Sequence, residues 1–175
     1  LDLRGDKLPG IPVDFSHGDV DAFKPLPGSL EAFEKGFGVG GHQAYTEYRG
    51  AKTIREDVAK KISAFTGTFI SPTENIILTP GTQGALFLAI GSMAARGDKV
   101  AIVEPDYFAN RKLAEFFECE IVPIPMHYFQ TEDGSGIDLE YLEKEFKKGI
   151  RLFLFSNPNN PTGAVYSQEE IRKIA

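Results

Sequence analysis

Residues 150–163 read IRLFLFSNPNNPTG, an apolar run followed at once by a turn with three asparagines and two prolines. The run at 150–155 is short and bounded by turn-forming residues, a pattern that predicts a buried strand. Asparagine and proline cannot continue such a strand, so the chain must turn sharply where the strand ends. Because ligands bind outside the carboxyl ends of strands in open α/β sheets, this turn places side-chain amides at the mouth of a candidate site.

Composition and charge exclude several classes of function. The chain has 175 residues, of which 42% are hydrophobic and 25% charged, as in ordinary soluble domains. A formal net charge of −6 argues against binding to nucleic acid or to an anionic membrane. Cys119 is the only cysteine, no apolar run is long enough to span a membrane, and no secretion signal opens the sequence, so we predict a cytoplasmic protein. Because His17, His42 and His127 lack metal-ligand spacing, we predict no metal site.

Strand and helix patterns alternate along most of the chain. Apolar runs predict strands at 76–78, 100–103, 121–124 and 150–155, of which the third contains Pro123 and therefore suits a sheet edge. Helices are predicted from capping boxes at Thr53 and Ser167, from a cap at Asp138, and over 86–93 and 108–117. In the first of these, Ile54, Val58, Ile62 and Phe65 share one face. The alternation predicts an α/β fold with a mostly parallel sheet and flanking helices.

The two ends of the chain differ from the middle. Residues 1–44 are rich in glycine and proline and predict an extended arm with one short helix near residues 30–33. We therefore expect two parts, an arm at 1–44 and the first part of a larger domain at 45–175. The helix that begins after Ser167 has only about two turns before Ala175, which indicates the front part of a longer protein.

A candidate anion-binding loop joins the first predicted strand to the next helix. The loop reads Thr79-Pro80-Gly81-Thr82-Gln83-Gly84, and its small residues let backbone N–H groups approach an anion at a helix N-terminus. It lacks the spacing and lysine of a nucleotide P-loop and the three glycines of a dinucleotide fingerprint. The alternative is a tight strand–helix connection with no ligand.

Two further segments carry candidate aromatic residues. Tyr107 lies in Glu104-Pro105-Asp106-Tyr107-Phe108, directly after a predicted strand and hence at the same carboxyl edge. Tyr45 lies in the glycine-rich connection before the first long helix. The alternatives are an ordinary core or surface aromatic for Tyr107 and a plain loop for Tyr45.

In order and spacing, these motifs resemble the fold-type I pyridoxal-phosphate enzymes of aminotransferase class I/II, in their aspartate aminotransferase-like branch. The resemblance runs from residue 13 to residue 175 and is strongest in NPNNPTG at 157–163, with a further match in GDKV at 97–100. It implies an incomplete PLP-transferase major domain and an N-terminal arm that belongs to the small domain. It also implies transamination between an amino acid and a 2-oxo acid, pyridoxal 5′-phosphate as cofactor, and a homodimer with shared active sites.

The resemblance assigns cofactor-binding roles to residues at three loops. Gly81, Thr82 and Gln83 would form the phosphate loop, largely through backbone N–H groups. Tyr107 would stack on the pyridine ring. Asn160 would hydrogen-bond the phenolic oxygen of the cofactor and help to hold the substrate carboxylate.

Other roles concern the arm, the partner subunit and the catalytic lysine. Tyr45 would reach the cofactor phosphate of the neighbouring subunit, and Gly18 would lie against the substrate. The Schiff-base lysine is expected beyond Ala175, so no catalytic residue is assigned in this chain, which by itself should be inactive. The alternatives are another pyridoxal-phosphate reaction on the same fold, such as β-elimination or decarboxylation, and a non-catalytic cofactor- or ligand-binding module.

Overall fold

The computed structural model describes residues 23–40, 45, 47–127, 129 and 134–175. Contacts divide the chain into two units, Leu1–Thr46 and Glu47–Ala175, which are described separately. In the first unit, the described residues form one helix, α1 (Ser29–Gly40). The short helix predicted near residues 30–33 is therefore present, and it extends further toward the carboxyl end than the sequence pattern indicated.

The second unit is an α/β layer built on a parallel sheet, which confirms the predicted fold class. Its elements are α2 (Lys52–Thr66), α3 (Gly81–Met93), β1 (Lys99–Glu104), α4 (Phe108–Phe116), β2 (Glu120–Pro125), α5 (Leu139–Lys147), β3 (Ile150–Leu154) and α6 (Gln168–Ile174). The described strands lie in the order β2-β1-β3, with β1 parallel to both neighbours.

The central strand β1 is buried on both faces of the sheet. Val100 and Ile102 pack on one face in a core that also contains Ile90 of α3 and Ala114 of α4. The alternate residues Ala101 and Val103 lie in a second core with Leu142 of α5. An apolar run without polar alternation is the pattern of a strand covered on both sides. Each fully buried valine or isoleucine contributes about 1.5–3 kcal/mol relative to an exposed one.

The edge position predicted for Pro123 is confirmed. β2 lies at one end of the strand order, and Pro123 is paired with Ile102 of β1. Proline has no N–H to donate to a further strand, so a strand that contains it suits an edge. The burial of β2 alternates, with Val122 and Ile124 facing the core.

The prediction of a strand at 76–78 is wrong, because these three residues are all described and none of them lies in a strand. Ile76 is buried, as its apolar character suggests, but the N–H group of Leu78 donates to the carbonyl oxygen of Arg49 at 3.0 Å rather than to a strand ladder. A strand needs a neighbouring strand for its backbone hydrogen bonds, and none of the three described strands adjoins this segment.

One prediction for the first long helix, its capping box, is also wrong. α2 begins at Lys52 with Ala51 as N-cap and no side-chain cap, so Thr53 already lies inside the helix and cannot form the predicted capping box. Within the described residues, Ile54, Ile62 and Phe65 of the predicted apolar face are exposed. The helix instead buries Arg55 and Ala59, because the arginine finds hydrogen-bond acceptors on that side.

The caps predicted at Asp138 and Ser167 are confirmed. Asp138 Oδ1 accepts a hydrogen bond from the N–H of Tyr141 at 2.8 Å. Ser167 and Glu170 form a reciprocal capping box, in which the Ser167 N–H donates to Glu170 Oε2 at 2.6 Å and the Glu170 N–H donates to Ser167 Oγ at 3.2 Å. Such a cap stabilises a helix by about 1 kcal/mol.

The Glu170 carboxylate also anchors the loop before α5. Oε1 of Glu170 accepts hydrogen bonds from the N–H of Ser135 at 3.0 Å and from its hydroxyl at 2.8 Å. Burial raises the pKa of Glu170, but the hydrogen bonds from Ser167 and Ser135 outweigh it and hold the pKa below its ordinary value. Among the described residues, no helix has the length and apolar character needed to cross a bilayer.

Candidate functional site

The N-terminus of α3 lies at the carboxyl edge of the sheet. Arg151 lies near the start of β3, and its Nε donates to the carbonyl oxygen of Met93 at 2.8 Å. This bond ties the C-terminus of α3 to the edge of the sheet where the strands begin. A helix of 13 residues is about 20 Å long, and a strand of six residues is about as long. Because Ile90 and Ile102 belong to the same buried core, we infer that α3 runs along the sheet and that its first turn reaches the edge where β1 ends.

The first turn of α3 is an open helix N-terminus. Its N-cap, Pro80, makes no side-chain cap hydrogen bond, and Gly81, Thr82 and Gln83 are all exposed. Gly81 has a φ of +73°, in the left-handed region that favours glycine. A Cβ on Gly84 would lie 3.1 Å from the Pro80 ring, so this glycine lets the turn close tightly. The Gly81 N–H donates to the Thr79 carbonyl at 2.8 Å, so the open donors of this turn are the N–H groups of Thr82 and Gln83. Together with the positive end of the helix dipole, these two N–H groups fit the anion predicted for this turn.

A neighbouring loop supports the segment that enters this turn. Gly50, with a φ of +87°, packs so closely on Leu78 that a Cβ would lie 2.7 Å from the Leu78 Cβ. The N–H of Leu78 is bonded to the carbonyl of Arg49, the residue before Gly50. Since Leu78 is next to Thr79, the loop at 47–50 fixes the position of the candidate anion-binding turn.

Arg55 holds that loop, a role that the sequence analysis missed. Only 5% of Arg55 is exposed. Its Nε donates to the Gly50 carbonyl at 2.9 Å, Nη1 to the Pro72 carbonyl at 2.6 Å, and Nη2 to Glu47 Oε2 at 2.7 Å. A buried guanidinium whose three nitrogens each donate a hydrogen bond to a different residue rigidifies the segments that it joins. No local signal marks Arg55, because its acceptors are mostly backbone carbonyls.

The loops after β1 and β3 are joined by Asn159. This residue is 3% exposed, and its Nδ2 donates to the carbonyl of Pro105 at 3.2 Å. Its Oδ1 accepts from the Thr162 hydroxyl at 2.7 Å and from the Thr162 N–H at 3.2 Å. The side chain of Asn159 therefore stabilises the turn that follows β3. Sequence reasoning selected the next residue, although the tendency of asparagine to bond nearby backbone could have indicated Asn159.

Asn160 and Tyr107 lie on the two loops that Asn159 joins. Asn160 is exposed, its N–H donates to Ser156 Oγ at 3.1 Å, and its side chain makes no hydrogen bond within the described part of the chain. Tyr107 is 36% exposed and packs on Phe108 with ring centroids 4.8 Å apart. The amide and the ring are thus both available to a ligand at the carboxyl edge of the sheet.

A cavity of about 580 Å³ opens beside Tyr107. Its lining includes Asp106, Tyr107, Phe108 and Arg111. Arg111 Nη2 lies 3.2 Å from Glu104 Oε1, but both side chains are partly exposed, so this ion pair adds at most about 1 kcal/mol. The cavity is large enough for a small aromatic ligand.

A half-buried acid, Asp106, and a buried phenol, Tyr166, also lie near this edge. Asp106 Oδ2 accepts from Asn110 Nδ2 at 2.6 Å, whereas Asp106 Oδ1 and the Tyr166 hydroxyl are buried without a hydrogen-bond partner among the described residues. Burial raises the pKa of Tyr166, and the charges of Asp106 and Glu170 raise it further. The phenol therefore keeps its proton at neutral pH.

The remaining predicted residues belong to the first unit. Tyr45 is 91% exposed, and Gly18 lies outside the described residues, so their roles stay predictions. In the described part of the chain, no three histidine, cysteine, aspartate or glutamate side chains are grouped as metal ligands.

Comparison with known proteins identifies close relatives. The model of the family described as aminotransferase class I and II matches residues 12–175. A crystal structure of an aspartate aminotransferase from Rhodobacter sphaeroides 2.4.1 superposes with a TM-score of 0.89 at 58% identity, covering 99% of this chain and 45% of that one.

More distant relatives cover similar parts. A probable aspartate aminotransferase of Methanocaldococcus jannaschii is 33% identical over 77% of this chain and 34% of its own length. Cystalysin from Treponema denticola, whose structure contains a pyridoxal 5′-phosphate cofactor, is 28% identical with a TM-score of 0.70, over 87% of this chain and 37% of that one. The chain thus spans about a third of the curated relative and under half of each solved structure.

Proposed function

The chain belongs to the aminotransferase class I and II family, and from this premise we propose that the whole protein transfers an amino group between an amino acid and a 2-oxo acid with pyridoxal 5′-phosphate. The names of the relatives support transamination, and the cofactor of cystalysin supports pyridoxal phosphate. The 58% identity to an aspartate aminotransferase favours aspartate as amino donor.

One hydrogen bond supports the proposed cofactor site most directly. The bond from Asn159 Nδ2 to the Pro105 carbonyl draws together the loops that bear Tyr107 and Asn160, at the sheet edge where α3 begins. An anion-binding helix end, an aromatic ring and an unpaired amide are the groups that a phosphorylated pyridine with a phenolic oxygen requires.

Each of these groups has a separate task in the proposed reaction. The N–H groups of Thr82 and Gln83 bind the phosphate, the Tyr107 ring packs on the pyridine, and Asn160 donates to the phenolic oxygen and helps to hold the substrate carboxylate. When bound, pyridoxal phosphate supplies an electron sink for negative charge at the substrate α-carbon. The chain's own residues hold the cofactor in one orientation, which lowers the entropic cost of reaction.

The catalytic lysine of this scheme lies, we propose, outside the 175 residues. In the part of the chain that the structure describes, no lysine lines the cavity beside Tyr107. Lys173 instead pairs with Glu169 at 2.8 Å on α6. The 175 residues alone should therefore show no transamination.

Thr82→Pro in the whole protein tests the phosphate assignment. The variant lacks one backbone donor, and a charge-assisted hydrogen bond contributes about 1.5–3 kcal/mol, so cofactor affinity should fall about 10- to 100-fold. Thr82→Ala is the matched control, because it keeps the N–H and should bind normally. Spectroscopic titration with pyridoxal phosphate measures both. Equal affinities of the two folded variants would contradict the assignment, and wild-type protein that transfers no amino group would contradict the function.

We extend the proposal to a homodimer in the cytoplasm, with the arm at 1–44 in the small domain and 45–175 in the cofactor domain. The high exposure of Tyr45 supports a role for its side chain toward a neighbouring subunit. At a pyridoxal phosphate concentration too low to load either variant, mixing Tyr45→Phe and Thr82→Pro homodimers should restore activity, because each mixed dimer has one intact site. Subunit exchange without any recovery would argue that Tyr45 does not act across the interface.

A further inference from the structure

Arg55 has no task in the function proposed above, although its side chain is buried and all three of its nitrogens donate hydrogen bonds. We propose that Arg55, with its partner Glu47, is a positioning residue for the open N–H groups of the first turn of α3, and that it thereby sets the affinity for the cofactor phosphate. The mechanical link stands on the contacts of these residues, whereas the effect on cofactor binding rests on the proposed function of the turn.

Two guanidinium groups join the loop before α2 to the segment that leads into this turn. Nη1 of Arg55 donates to the Pro72 carbonyl at 2.6 Å, and Nη1 of Arg49 donates to the Thr73 carbonyl. Both acceptors are backbone oxygens, so the two arginines hold the course of the main chain itself.

The same loop also holds the other end of that segment. The N–H of Leu78 donates to the Arg49 carbonyl at 3.0 Å. Gly50 packs directly on Leu78, and its carbonyl accepts from Arg55 Nε at 2.9 Å. None of the three described strands pairs with residues 76–78. Within the described part of the chain, the backbone that leads into the turn is therefore hydrogen-bonded to this loop.

Glu47 fixes the guanidinium of Arg55 in turn. Glu47 Oε2 accepts from Arg55 Nη2 at 2.7 Å, and Oε1 accepts from the N–H of Lys52 at 3.2 Å, where α2 begins. A buried cation needs acceptors around it, and Arg55 has one on each nitrogen. A single ammonium nitrogen cannot span acceptors that the planar fork of a guanidinium reaches, so lysine cannot take the place of Arg55.

The link from Arg55 reaches the donors of the turn over a short stretch of backbone. Leu78 is followed by Thr79, whose carbonyl accepts from the Gly81 N–H at 2.8 Å. A displacement of Leu78 therefore changes the direction of the next open N–H groups. Hydrogen bonds weaken steeply as they depart from a straight line, so these donors bind phosphate well only in one orientation.

The first measurement compares the binding of two ligands to the whole protein: pyridoxal phosphate, and pyridoxal, which lacks the phosphate. In Arg55→Lys, the affinity for pyridoxal phosphate should fall about tenfold and that for pyridoxal should stay, because only the phosphate meets the displaced donors. Arg96→Lys alters an exposed ion pair with Glu118 and is the matched control, which should change neither affinity. A folded Arg55→Lys variant that loses both affinities equally, or neither, would overturn the positioning role.

Glu47→Gln keeps the proposal testable if Arg55→Lys does not fold, because it retains an oxygen toward Arg55 and lies in a partly exposed position. The ratio of the two affinities should shift in the same direction by about threefold, since the pair loses its charge. A ratio equal to that of wild type would overturn the role of the pair.

Amide hydrogen exchange at Leu78, measured without cofactor, tests the mechanical link separately. Exchange should be faster in Arg55→Lys than in wild type and in Arg96→Lys, because the acceptor of this N–H lies in the loop that Arg55 holds. Unchanged exchange would overturn the link, whatever the protein's function. Wild-type protein that binds pyridoxal phosphate no more tightly than pyridoxal would contradict the proposed phosphate site and the role of Arg55 in cofactor binding, but leave the exchange result standing.

Discussion

Removing the side chains of Asn159 and Asn160 should have opposite consequences, although the two residues are adjacent in one turn. Asn159→Ala deletes one hydrogen bond to Pro105 and two from Thr162. At about 1 kcal/mol each, the free energy of unfolding should fall by about 3 kcal/mol. Asn160→Ala removes an exposed amide with no partner among the described residues, so the free energy of unfolding should change by less than about 0.5 kcal/mol.

Cofactor binding should reveal the separate role of Asn160. For Asn160→Ala, loss of a hydrogen bond to the phenolic oxygen should weaken pyridoxal phosphate binding about 10- to 100-fold in a fully stable protein. Urea unfolding of the cofactor-free whole protein measures the stability, and spectroscopic titration measures the affinity. Two variants with the same loss of stability would refute the division of labour, as would an Asn160→Ala variant that binds the cofactor like wild type.

Two further predictions concern stability. Gly50→Ala should destabilise the protein by at least about 2 kcal/mol, because its Cβ would lie 2.7 Å from the Leu78 Cβ. The control Gly67→Ala has a similar φ of +70° but open space around it, so it should cost only about 1 kcal/mol. Equal losses of stability in urea unfolding would count against the close packing of Gly50 on Leu78. Glu170→Gln should remove the stabilisation that the charged carboxylate gives to the folded protein. In the wild type this stabilisation is fully present above the carboxyl's ordinary pKa of 4.5 and is lost as the pH falls through the lowered pKa of the folded state. A difference in the free energy of unfolding between variant and wild type that persists undiminished into acid would show that the charge of Glu170 is not responsible.

The sequence predicted the parts of the fold whose causes are local. The apolar run of β1 is buried and that of β2 is buried at alternate residues, whereas β3 forms as a strand with its apolar residues only half-buried. The Ser167 box forms because both its partners lie within four residues. The segment at 76–78 has the composition of a strand, but strand formation depends on a neighbour that its own residues cannot specify. Likewise, helical periodicity places Arg55 on the polar face of α2, whereas the carbonyls of Gly50 and Pro72 draw it inward.

The same distinction applies to the candidate site. Motif position predicts that the open end of α3, Tyr107 and Asn160 lie at one sheet edge. The contacts that hold them were not predictable, because they join distant parts of the chain through unremarkable residue types. Asn159 reaches Pro105, 54 residues away, and Arg55 fixes a loop through backbone oxygens. Neither contact leaves a periodic or spaced pattern in the sequence.

A crystal structure of the whole protein with pyridoxal phosphate tests the central claim most directly, since that claim concerns where three loops meet one ligand. We predict the phosphate oxygens within hydrogen-bond distance of the N–H groups of Thr82 and Gln83, the pyridine ring against Tyr107, and Asn160 Nδ2 at the phenolic oxygen. A phosphate bound away from the first turn of α3, or a ring that contacts neither Tyr107 nor Asn160, would contradict the claim.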